Sequence, residues 1–304
     1  MQLKPSALAG WALFLLLLFL SVFNAFAQLG TFVSTSAATY LVLGGADLLI
    51  FGVPTVFLKK YRPLVGLISL RGRPPRRGFA MNILFSSLAL ALLSFVLNCL
   101  CLLPQGKTPA GLAAYYPIRP EIPGGLMWVV IASLVVVPAV VQELFLRGAV
   151  FSLYEKRGTA AAVILSACAY AMLQRSPETI LPALAAGLGY ALLQYCTGSV
   201  WAPVFAHMVN NGYALFISWL SVQVPYNTAW EYFIAANVAC MFLCAYVAIR
   251  TLRNLVREGQ VPVTDPGPGA LRVNLTGAAG TMGFLLFAAL FVARIVITIV
   301  ARLA

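Results

Sequence analysis

Charge is what this sequence has least of. Asp, Glu, Lys and Arg make up 9% of the 304 residues, where a soluble domain carries roughly 25%. Acids are scarcer than bases, 8 against 20, and there is a single histidine, His207. With 62% hydrophobic residues and a mean hydropathy of +0.93, too little polar surface remains to coat a water-soluble globule. A soluble enzyme, a disordered chain and a nucleic-acid-binding domain are excluded together, so no nucleic-acid partner is expected. No C-x-x-C pair occurs among Cys99, Cys101, Cys168, Cys196, Cys240 and Cys244, all in apolar stretches. They read as small apolar packers, without a disulfide framework or a thiolate metal site. Neither is there an H-E-x-x-H. One histidine leaves too few ligands for a catalytic zinc, which usually takes three from the protein plus water. No metal and no cofactor is expected. Alternating strand patterns are missing too, which removes a β-barrel.

What the chain does have is long apolar runs. A bilayer core of about 30 Å needs roughly 20 apolar residues per helix. Nine stretches qualify or nearly so: Leu8–Leu29, Ala38–Leu58, Phe79–Leu103, Gly125–Leu153, Thr159–Gln174, Ile180–Cys196, Ser199–Val222, Trp230–Ile249 and Leu275–Ala301. All are expected to be helical, because lipid offers backbone amides no partner. The expected fold class is all-α, a polytopic transmembrane bundle of about 8–9 spans forming one integral membrane domain over residues 1–304. Lys4, the run Leu13–Leu20 and Ala25-Phe26-Ala27 also resemble a signal peptide. The apolar stretch runs past Ala27, which favours a retained helix.

The basic residues give the orientation. Lys59, Lys60, Arg62, Arg71, Arg73, Arg76 and Arg77 crowd one loop with no acid among them. Lys4, Lys156, Arg157, Arg250, Arg253, Arg257 and Arg272 fall on the same side, while Lys107, Arg119, Arg175 and Arg302 fall on the other. The positive-inside rule therefore predicts a multi-pass protein of the cell membrane with its N-terminus cytoplasmic. Membrane lipids are its first expected partners.

Ionisable groups at membrane depth cost a few kcal/mol each and ask for a reason. Asp47, Glu143, Arg147, His207 and Arg294 are such groups, with Asn210 and Asn211 beside the histidine. Glu143 and Arg147, four positions apart, share a helix face and can pair. Pairing within the membrane is by itself a sufficient structural reason for both. Asp47 and Arg294 read as packing partners of other spans.

Their order along the chain carries more. Gln142-Glu143-Leu144-Phe145-Leu146-Arg147 is followed by Tyr170-Ala171-Met172-Leu173-Gln174, then by Thr197-Gly198-Ser199-Val200-Trp201-Ala202-Pro203, His207 and Asn211. This arrangement resembles the CPBP intramembrane protease family, also called the Abi or CAAX prenyl protease 2 type, over a core of residues 125–222. In that family a Glu-Glu-x-x-x-Arg helix precedes a Phe-x-x-x-His helix, and a T-G-S-x-W-A-P turn leads into a His-x-x-x-Asn/Asp helix. Glu143, Arg147, His207 and Asn211 match. Gln142 stands where the family has its first glutamate, Gln174 where it has its first histidine, and Tyr170 where it has Phe. The resemblance implies that the first glutamate and first histidine activate water, and that the later histidine and the Asn stabilise the oxyanion.

Hydrolysis needs a group that takes a proton from water near neutral pH, and a glutamine amide cannot titrate. The reading that follows is a catalytically impaired relative, a pseudoenzyme, that binds hydrophobic or lipidated peptides or membrane proteins in the same pocket. The alternative is an active intramembrane endopeptidase working near the cytoplasmic side with Glu143 or His207 as base. A transporter ranks behind both, because no inverted repeat is visible.

Overall fold

The computed structural model describes residues 4–29, 36–61, 66, 68–102, 126–174, 176–224, 228–261 and 268–303. Arg62, Lys107, Arg119 and Arg175 lie outside the described residues, as does the end of the third expected span at Leu103. Among the described residues every regular element is helical and there is no strand. Helix α1 is Pro5–Leu29. Helix α2 is a continuous rod made of Ser36–Asp47, a π-helical turn Leu48–Gly52 and Val53–Lys60. Helix α3 is Ala80–Leu102. Helix α4 runs from Met127 to Glu155 with two π-helical turns, Ala132–Val136 and Leu144–Val150. Then follow α5 (Thr159–Met172), α6 (Ile180–Thr197), α7 (Trp201–Gln223), α8 (Thr228–Arg257), α9 (Pro268–Ala279) and α10 (Met282–Leu303).

Seven of these helices are long and apolar enough to cross a membrane, namely α1, α2, α3, α4, α6, α8 and α10. Helix α5 is apolar but short, and α7, which carries the polar motif residues, is not among the seven. Two expected boundaries are corrected. The eighth stretch does not stop at Ile249: α8 continues to Arg257, where the polar end of the helix leaves the apolar zone and carries Arg250, Arg253 and Arg257. The ninth is not one helix from Leu275, because Gly280 and Thr281 separate α9 from α10. A Gly and a threonine at that point offer poor helix propensity.

Two of the three π-helical turns have a local cause. Each precedes a proline inside the rod, Pro54 after Leu48–Gly52 and Pro138 after Ala132–Val136. A proline ring clashes with the carbonyl four residues back and removes a donor, and a widened turn relieves both.

Helix α3 packs against α7 and α8, α5 against α6, and α1 against α10. Small residues decide how close these pairs come, as expected where packing rather than water drives association. At the α1–α10 crossing, a Cβ on Gly10 would sit 2.5 Å from the amide nitrogen of Phe284, and one on Gly283 would sit 2.7 Å from the carbonyl carbon of Gly10. The outer surfaces of α8 and α10 expose Phe242, Leu243, Tyr246, Val292, Ile297 and Val300. An apolar belt of that extent belongs against lipid.

The basic residues gather at one end of the bundle, which is held together locally. Arg71 reaches both carboxylate oxygens of Glu155 at 2.6 Å, and Lys59 Nζ donates to the carbonyl of Ile68 at 3.0 Å. Ser152 Oγ donates to the carbonyl of Ser69 at 2.9 Å. This end is called the basic face below.

A methyl group at the α1–α10 crossing should be felt throughout the bundle. Gly283→Ala is expected to lower thermal stability in detergent by about 1–3 kcal/mol, the usual cost of overpacking. An unchanged melting temperature would show that the two helices do not touch backbone to backbone.

Candidate functional site

Helix α4 supplies the charged pair. Arg147 Nε lies 3.2 Å from Glu143 Oε2 and Nη1 lies 3.5 Å from Oε1, with both side chains 0% exposed. The pair sits where the helix opens into its second π-helical turn, and the surroundings complete what a buried charge requires. Arg147 Nη2 donates to the carbonyl of Gly187 on α6 at 2.9 Å. The guanidinium also lies over two rings, 5.1 Å from the centre of Tyr170 and 5.6 Å from that of Tyr190, where the ring faces attract a cation. Gln194, fully buried one turn beyond Tyr190, donates to the backbone carbonyl of Arg147 at 2.7 Å.

Glycine at 187 favours this approach. A Cβ there would lie 3.2 Å from Ala167 Cα, its carbonyl oxygen and the Tyr170 ring. The missing side chain lets α5 and α6 approach, and that approach brings the Gly187 carbonyl to Arg147.

His207, one face round on α7, closes the cluster. Its Nδ1 is 2.9 Å from Glu143 Oε1, and its Nε2 is 3.2 Å from the Tyr170 hydroxyl. The ring is 2% exposed and stacks on Tyr190 at 5.2 Å with an interplanar angle of 18°. An ionised carboxylate only accepts hydrogen bonds, so Nδ1 carries the hydrogen. In the neutral ring Nε2 then accepts from Tyr170. Both nitrogens of the histidine are committed to protein groups.

Above the cluster lies a cavity of about 450 Å³. Gln142, Tyr170, Gln174, His207, Asn210 and Asn211 line it, and Asp47 of α2 joins them. Of the residues singled out in the sequence, Glu143 and Arg147 are brought together with His207 but do not reach the cavity; they stand behind the histidine. Gln174 spends part of its amide locally, donating to the carbonyl of Tyr170 at 3.1 Å. Arg294, on α10, donates to the carbonyl of Gln174 at 3.3 Å and so fastens the end of α5. Asp47, read from the sequence as a packing partner, also lines the same cavity as the motif residues.

The Thr197–Pro203 turn has a positional part. Gly198 holds the left-handed conformation, φ 65°, that closes α6. Ser199 Oγ donates to the carbonyl of Arg73 at 2.6 Å and Trp201 Nε1 to that of Gly72 at 2.8 Å. The turn clamps the basic-face segment and thereby sets where α7, and with it His207, begins.

Sequence reasoning did not identify Tyr190, Gln194 or Asp47 as site residues. For the first two a signal was present: Gly187, Tyr190 and Gln194 lie three and four apart, one face of a helix. Among the described residues no group of three His, Cys, Asp or Glu side chains is placed to hold a metal ion.

Removing the guanidinium should unfold the cluster from its centre. Arg147→Ala leaves Glu143 buried against His207 alone, a loss of roughly 3–5 kcal/mol. Folded yield from membranes is expected to collapse; normal yield and thermal stability would show the pair to be dispensable.

Residues 124–213 match the family model described as Type II CAAX prenyl endopeptidase Rce1-like. No curated protein and no solved structure matches the chain. The matched segment begins just ahead of α4 and ends within α7, so it contains every residue of the Arg147–Glu143–His207–Tyr170 cluster. Over that segment the chain is similar to this endopeptidase family, and the described residues around it form a helical bundle with seven helices long and apolar enough to cross a membrane.

Proposed function

We propose that this protein is a catalytically silent CPBP relative that holds a hydrophobic or lipidated peptide segment, from a peptide or a membrane protein, in the cavity above His207. The observation that carries the reading is the double commitment of His207, to Glu143 through Nδ1 and to Tyr170 through Nε2. An oxyanion donor needs an N–H aimed at the reacting oxygen. Here Nε2 accepts from the hydroxyl of Tyr170, which itself lines the cavity and stands where the family has a Phe. Gln142 and Gln174 line the cavity but cannot take a proton from water. Glu143, paired with Arg147 and His207, has no carboxylate face toward the cavity. Together these features keep a polar chamber and remove its reactivity.

The protein is placed by this reading in the cell membrane with the basic face and N-terminus cytoplasmic. The competing reading, an active endopeptidase, gains support from one feature: Asp47 is a carboxylate lining the same cavity.

Purified protein in liposomes, offered prenylated and unprenylated fluorogenic peptides, separates the two. No cleavage sensitive to His207→Ala is expected, while peptide binding persists. The triple change Gln142→Glu, Gln174→His and Tyr170→Phe restores the family pattern and is the variant in which hydrolysis should first emerge. Robust cleavage by the unmodified protein, abolished by His207→Ala, would overturn the silent reading; abolition by Asp47→Asn as well would name Asp47 as the base.

A further inference from the structure

We propose that the last two turns of α8, with Arg76 and Arg77 just ahead of α3, bind the phosphate of anionic phospholipids in the leaflet on the basic side. Length is the first sign. Helix α8 has 30 residues, a rise of about 45 Å, where the hydrocarbon core is about 30 Å thick. Its charges mark where the excess lies. No charged residue stands between Glu231 and Arg250, a rise of about 28 Å, so the helix has crossed the core by Arg250. Arg253 and Arg257 stand about 5 and 10 Å further out, within the headgroup layer and at its outer edge.

The second sign is the face they share. Leu243, Tyr246, Arg250, Arg253 and Arg257 follow one another at alternating spacings of three and four, which is one stripe of a helix. All five are exposed, Leu243 at 62% and Tyr246 at 60%. The opposite edge of α8 is the one turned to α3, where Asn82 Nδ2 donates to the carbonyl of Ala248 at 2.9 Å and Leu255 is buried. A surface made for lipid tails therefore runs without a break into three arginines. A phospholipid lying along it has its chains on Leu243 and Tyr246 and its phosphate at the guanidinium groups.

The third sign is chemical. Arg76 and Arg77 come to the same end of α8, because a Cβ on the next residue, Gly78, would lie 3.2 Å from Gln260 Oε1 and 3.9 Å from Leu255 Cδ2. None of the five arginine side chains makes an ion pair or a hydrogen bond among the described residues. Glu258, the acid beside them, accepts from Gln260 Nε2 at 2.7 Å. Lysine would satisfy the positive-inside rule as well as arginine does. A guanidinium adds a planar fork that meets two phosphate oxygens at once. A zwitterionic headgroup brings its own cation to such a cluster and is disfavoured, whereas an anionic one brings the missing charge.

Lipid titration tests the assignment. The full chain in non-ionic detergent is titrated with short-chain phosphatidylglycerol or phosphatidylcholine, and bound lipid is counted by native mass spectrometry. Tighter binding of phosphatidylglycerol is expected; equal binding of the two lipids by the unmodified protein overturns the proposal whatever the variants do. The combined change Arg250→Gln, Arg253→Gln and Arg257→Gln should weaken phosphatidylglycerol binding at least about tenfold, since one basic residue near an anionic surface is worth roughly fivefold. Phosphatidylcholine binding and the melting temperature should not move, because all three side chains are exposed. Lys4→Gln, Lys156→Gln and Arg272→Gln together remove the same charge from other elements of the basic face. At physiological salt, which screens beyond about 8 Å, this second set should keep binding within about threefold. Equal weakening by the two sets would show that any charge serves and overturn the site. Displacement of phosphatidylglycerol by an equal concentration of inorganic phosphate would assign the arginines to a soluble anion and overturn the lipid.

Discussion

Everything in this bundle is arranged around one fully buried guanidinium. Arg147 is among the largest side chains with no solvent exposure, and a charge in that position is tolerated only when its surroundings replace water. Glu143 supplies the countercharge, the Gly187 carbonyl a further acceptor, and the rings of Tyr170 and Tyr190 a cation-attracting wall. Each of these fixes something larger. The carbonyl demands that α6 come close, which a glycine at 187 eases. The two rings demand that α5 and α6 present tyrosine toward α4. His207 is then drawn in by the remaining oxygen of Glu143, which sets the position of α7.

The same network supports the proposal that the cluster is structural. In a hydrolase the histidine that faces the substrate must have a nitrogen to spare. Here Nε2 of His207 meets the Tyr170 hydroxyl, and amide side chains stand at 142 and 174 in a chamber that Asp47 also lines. The chamber and the cluster are stacked: charge and packing lie toward the basic face, and hydrogen-bonding groups lie above, away from it.

Much of this was legible in the residues. Apolar run lengths gave the helices, and the i, i+4 spacing gave the Glu143–Arg147 contact. The motif order brought Gln174, His207 and Asn211 toward one place. The sequence could not show that Glu143 stands behind His207 rather than in the cavity, since one helix face does not say what lies across from it. Nor could it show Asp47 beside the motif residues, because α2 and α4 meet through a tertiary contact, with Gly44 against Ser133, that no local pattern encodes. In the sequence the Thr197–Pro203 turn is only a motif that leads into His207. Its hydroxyl and indole hold Gly72 and Arg73, a contact across more than a hundred residues that the motif alone does not reveal.

A single histidine makes the central claim open to direct measurement. Selective 15N labelling of histidine gives the ring of His207 alone, and its two nitrogens report their partners separately. Tyr170→Phe should shift the Nε2 resonance and leave Nδ1 nearly in place, while Glu143→Gln should do the reverse. A ring whose Nε2 ignores Tyr170→Phe and exchanges with solvent would contradict the account, because His207 would then have a nitrogen free for chemistry.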